Sequence, residues 1–181
     1  MKIHFLKSIF TCLLVFGTGI MLHAQGNSAY TAIRNANIQI KGSLNNTPIA
    51  WTTEKADIKL NKETGAFEFN ILTDDLDYAT KNPDFEGATG ENKGKSLTLV
   101  GTLPVQDVLA NSNNAIDRQV ELRAHFNDLD YLAPFVFTIL KFQNGGFSVM
   151  ARGTISYRAL GITNLGQLDD ELVIIMSFTG A

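Results

Sequence analysis

From Gly145 to Phe178 the chain reads GGFSVMARGTISYRALGI, then a short link, then DDELVIIMSF. Phe147, Val149, Ala151, Gly153, Ile155 and Tyr157 fall on one side of an extended chain, and Ser148, Met150, Arg152, Thr154, Ser156 and Arg158 on the other. Strand side chains point alternately to opposite faces, so this period of two marks a half-buried strand. Leu172, Ile174, Met176 and Phe178 keep the same step in a second strand. A hairpin of this length with one apolar side belongs to a closed or stacked β architecture and not to a βαβ enzyme.

The rest of the chain repeats the pattern. Ala36, Ile38 and Ile40 alternate with Asn37, Gln39 and Lys41 ahead of a turn at Asn45-Asn46-Thr47-Pro48. Ile58 and Leu60 lead through NKETG into Phe67, Phe69 and Ile71, with Gly65 where a hairpin loop needs a positive φ. Further strands are expected over Ser96–Leu103, Arg118–Phe126 and Phe135–Phe142, the last joined to the final hairpin by Asn144-Gly145-Gly146. The expectation is all-β, a single antiparallel barrel of about eight strands, with every join short enough for antiparallel pairing. Two stretches stand apart: a long acidic loop, Thr73–Lys95, and a short helix at VQDVLA between Leu103 and Asn114.

Lys2 and Lys7 precede an apolar run from Ile9 to Met21, and Ala24 supplies a small residue before Gln25. This order of charged, apolar and small residues is that of a signal peptide, and the run is shorter than the roughly 20 residues that span a bilayer. Residues 1–24 are therefore expected to leave, placing a single domain, 25–181, in the periplasm or outside the cell. Cys12, the sole cysteine, lies inside the apolar run and not at a lipoprotein cleavage point. The remaining chain would hold no thiol, which excludes disulfides, thiolate nucleophiles and cysteine metal sites. The net charge of −3 becomes −5 once Lys2 and Lys7 are removed. With no basic stripe, nucleic acid is a poor partner.

Catalysis has little to stand on. Of three histidines only His125 lies outside the leader, and it alternates outward from Leu122, Ala124 and Phe126. No G-x-S-x-G elbow or other nucleophile signature is present, and no cofactor motif. Asp74, Asp75 and Asp77 cluster on a loop, and Asp128 and Asp130 lie close together, but neither stretch has EF-hand spacing. A non-enzyme without cofactor or metal is the expectation.

The run from Gly146 to Ile162 (G-F-S-x-x-A-x-G-T-I-S-x-x-x-x-G-I), followed by Asp170 to Phe178, resembles the closing hairpin of the YceI-like family. Asn61 to Ala79 is similar to that family's early strand and loop, and Pro134 to Gly146 to the strand feeding the final hairpin. Related chains carry an Arg-Ser-Asp-Phe-like run where this one has Tyr157-Arg158-Ala159-Leu160, so the resemblance is to a divergent member. It implies a bacterial, exported, lipocalin-like barrel that holds a long apolar lipid, such as a polyisoprenoid, in its interior.

An eight-stranded barrel is just wide enough to be filled by its own side chains or to hold one small ligand. The inward-facing candidates for lining a cavity are Phe67, Phe69, Ile71, Leu97, Leu99, Phe137, Ile139, Phe147, Val149, Ile155, Tyr157, Ile174 and Met176. Ala151 and Gly153, in step with them, are expected to leave room. Spacing alone does not separate a cavity from a packed core, since the apolar faces look the same. Phe135–Phe142 is apolar on both faces, with Val136, Leu140 and Phe142 on the second, and Val173 and Ile175 do the same for the last strand. A helix, the long loop or a second subunit would cover that outer wall. The alternative function is accordingly a filled barrel that uses the wall to form a homodimer.

Overall fold

The computed structural model describes residues 29–78, 93–106, 115–160 and 168–181. The expected leader, most of the acidic loop, most of the VQDVLA segment and residues 161–167 lie outside the described residues. Among the described residues no helix is long and apolar enough to cross a membrane.

The chain forms ten strands: β1 (Ile33–Leu44), β2 (Thr47–Thr53), β3 (Asp57–Leu60), β4 (Ala66–Leu72), β5 (Asp77–Tyr78), β6 (Ser96–Thr102), β7 (Ile116–Phe126), β8 (Leu129–Lys141), β9 (Phe147–Ser156) and β10 (Glu171–Gly180). They build one antiparallel sheet in the order β3-β4-β6-β7-β8-β9-β10-β1-β2-β5. The final hairpin pairs in the expected register, from Glu171 opposite Ser156 to Gly180 opposite Phe147.

This sheet curls until its edges meet. Just before β1, the Thr31 N–H donates to the Leu60 carbonyl and the Lys62 N–H to the Ala29 carbonyl, both at 2.9 Å. β2 and β3 run in the same direction and are separated only by Glu54, Lys55 and Ala56, so they act as one bent stave. A 3₁₀ turn at Thr73–Asp75 likewise breaks β4 from β5, which pairs with β2 where β4 pairs with β3. Two strands thus continue another, and the ten strands make eight staves. β1 carries a bulge between Arg34 and Asn37, where Asn35 has φ 51°. Such a bulge bends a strand sharply, and here the bend lies next to the stretch that reaches β3.

Alternation puts one side of every long stave inside. β9 and β10 bury every second residue, and the inward residues of all staves merge into a single apolar core. Among the described residues Thr31 and Thr53 are buried polar side chains, and the Tyr157 hydroxyl is buried with its ring.

Candidate functional site

The interior of the barrel is the candidate site. Phe67, Phe69 and Ile71 enter it from β4, Leu97 and Leu99 from β6, and Phe137 and Ile139 from β8. Phe147, Val149 and Ile155 come from β9, Tyr157 from just beyond it, and Ile174 and Met176 from β10. All thirteen are buried in the one core. Trp51 on β2, Ile38 and Ile40 on β1, Phe126 on β7, and Phe135 and Phe178 join them there. Trp51 was hidden in the sequence because Pro48, read there as part of a turn, is in fact the second residue of β2 and disguises its start.

The barrel's two ends differ. One, the base, gathers the turn Asn61–Gly65, the turn between β8 and β9 and the C-terminus. Leu103 and Val105, beyond β6, are buried there, and the Leu103 N–H donates to the Gly65 carbonyl at 2.8 Å. Lys62 Nζ and Thr31 Oγ1 both donate to the Ala181 carbonyl, at 2.6 and 3.2 Å. Backbone ladders and side chains together close this end.

At the opposite end lie the β1–β2 turn, the β7–β8 turn and the chain after β9. The buried Tyr157 hydroxyl donates to the Leu168 carbonyl at 3.0 Å. Ser156 Oγ lies 2.9 Å from both Asp170 oxygens, and the Arg158 N–H donates to the same carboxylate. Lys95 Nζ stands 5.7 Å over the Phe126 ring and the Arg158 guanidinium 5.7 Å over Tyr157. Aromatic rings beneath cations, with a hydroxyl tied back to the chain, give this end an amphipathic rim.

Much of the interior is occupied by side chains. Phe67 meets Phe137 edge-on at 5.7 Å and stacks on Phe178 at 6.1 Å. These rings come from β4, β8 and β10, which are not neighbours in the sheet, so the contacts cross the lumen. The room expected at Gly153 is taken: a β-carbon there would lie 2.5 Å from the Phe135 ring, which rests directly on the glycine. Leu122 fills the space beside Gly101 in the same way. A glycine in an inward position thus reports the bulk of its neighbour rather than a void.

The outer surface carries little chemistry. His125 is exposed, its Nδ1 2.7 Å from Asp130 Oδ1, with Arg123 3.7 Å from the same carboxylate. Of the loop carboxylates, Asp74 accepts from the Gly94 N–H and Asp75 pairs with Lys55. Among the described residues no group of three histidine, cysteine or acidic side chains is arranged to hold a metal. An open groove of about 440 Å³ runs past Lys41, Ser43, Asp169 and Glu171, but its Asp170 is already engaged by Ser156 and Arg158. Leu132, Val136 and Met150 stand about half exposed on the outer wall, with Phe142 less so.

No protein-family model matches this chain, and no curated protein does. Among solved structures it is similar to a polyisoprenoid-binding domain from Saccharophagus degradans implicated in plant cell wall breakdown. That match has a TM-score of 0.64 at 6% identity and covers 83% of this chain and 96% of that one. At this identity the likeness is one of fold, an antiparallel lipocalin-like barrel.

Proposed function

We propose that this protein is an exported, non-enzymatic lipid-binding barrel that sequesters or carries an apolar chain, of polyisoprenoid type, in its interior. The observation that carries the reading is a continuous, almost wholly apolar barrel interior in a fold shared with a polyisoprenoid-binding domain. Each CH₂ withdrawn from water contributes about 0.8 kcal/mol, so such a chain binds with few polar contacts. The thirteen interior residues named above are its proposed lining, and the cations at the rim suit a polar headgroup left outside. Residues 1–24 are the proposed leader and 25–181 the barrel domain, which places the carrier in the periplasm or medium.

Mass spectrometry of an organic extract of the native protein tests the reading. A stoichiometric lipid supports it, and N-terminal sequencing of the same sample should begin at Gln25. An empty extract, together with no uptake of added isoprenoid alcohols, favours a second reading. In that reading the cross-lumen contact of Phe67 with Phe178 belongs to a solid core, and the outer wall at Leu132, Val136 and Met150 is the working surface, as in a homodimer.

A further inference from the structure

We infer that the barrel is blind at its base, so that a guest chain enters and leaves by the rim end and Phe67, with Phe137 and Phe178, sets the length of chain it accepts. The inference rests on the lipid-binding reading above and adds a length limit to it.

Three observations converge. Phe67 meets both Phe137 and Phe178 across the interior, from staves that are not neighbours. Each lies near the base: Phe67 is the second residue of β4, Phe178 is two residues short of the end of β10, and Phe137 four short of the end of β8. Below them the base is closed by buried Leu103 and by the Leu103–Gly65 backbone bond. Phe147 adds to this closure, because its ring occupies the space where Gly180 would carry a side chain. A chain threaded through the barrel would have to displace all of these.

The floor gives a depth. From Phe178 to Leu172, near the start of β10, six residue steps of about 3.3 Å on staves tilted by roughly 40° span about 15 Å along the axis. A guest takes that depth by displacing the side chains that fill it, Ile174 and Met176 among them. An extended chain advances about 1.2 Å per bond, so about a dozen carbons reach from rim to floor. A longer guest keeps its remainder outside. That limit admits only the terminal stretch of a polyisoprenoid, or a medium acyl chain whole.

Linear 1-alkanols of increasing length, titrated against the full chain, test this, with the emission of the single, buried tryptophan, Trp51, as the readout. Affinity is expected to rise about fourfold per added methylene up to about twelve carbons and then to level. Phe178→Ala, and the milder Phe67→Leu should the first fail to fold, are expected to move the plateau to longer chains. An unbroken rise past about sixteen carbons would overturn the blind floor while leaving lipid binding intact. A plateau unmoved in a folded variant would remove these phenylalanines from the measure. Failure of every length to perturb Trp51 would overturn the lipid-binding reading itself, and the inference with it.

Discussion

A β-carbon added to Gly153 meets three atoms of the Phe135 ring at 2.5–2.6 Å, and neither partner has room to retreat because both are fully enclosed. Overpacking of a tight core costs about 1–3 kcal/mol, so Gly153→Ala is expected to lower the urea midpoint accordingly. Phe135→Leu in the same chain should recover part of that loss, a coupling that a double-mutant cycle measures. Inward residues were legible from alternation alone, whereas the choice between room and ring at Gly153 was not, because periodicity carries no information on which neighbour leans over a glycine. The surface offers a second residue-scale test. The Lys59 pKa is raised above 10.5, chiefly by the hydrogen bond to Glu68 at 2.8 Å and then by the charge of Asp57. A cation whose folded pKa is raised stabilises below its unfolded value and ceases to do so as pH climbs through the folded one. The urea midpoint should therefore fall on the alkaline side of 10.5, and Lys59→Met should remove that part of the slope. The pair is solvent-exposed, so salt should weaken the effect.

Elements obeyed the period of two wherever a strand was unbroken, and escaped it where one was bent. β2 and β5 went unrecognised because Pro48 and the acidic Thr73–Asp77 stretch look like loop, yet each continues or pairs with a neighbouring stave across a local kink. Pro134 misled in the same way, since a proline in a strand pattern reads as a boundary. It stands inside β8 instead, opposite Glu121, and the ladder to β9 begins only at Phe135. Up to that point β8 pairs on one side alone, the edge-like setting in which a strand tolerates a missing N–H, and so it starts at Leu129 rather than after the proline. The two residues between β7 and β8, Asn127 and Asp128, form the hairpin turn, with Asn127 at φ 55°. A side chain with a β-carbon is strained by about 1–2 kcal/mol in that region, asparagine least and glycine not at all. Asn127→Ala is thus expected to lower the thermal midpoint and Asn127→Gly to keep it, as read by circular dichroism at matched protein concentration.

At the scale of the whole molecule the question is which of two apolar surfaces does the work. The inside is continuous and almost free of polar groups. The outside offers Leu132, Val136 and Met150 among charged neighbours such as Arg152, which pairs across from Val136. The barrel itself was legible because closure requires only alternation and short joins, while the occupant was not, because filling depends on contacts between staves far apart in sequence, as between Phe67 and Phe178. The two surfaces separate by linkage. A guest that binds only the folded barrel adds RT ln(1 + [L]/Kd), about 2.7 kcal/mol at a hundredfold excess over Kd, and so raises the melting temperature with concentration. Charging the wall with Val136→Lys and Met150→Lys replaces half-exposed residues and is expected to cost little stability. If the lumen holds the guest, those variants keep the full guest-induced rise in melting temperature and the same mass in solution by light scattering. Loss of the rise, or a halved mass, in the charged variants would move the function from the inside of the barrel to its wall.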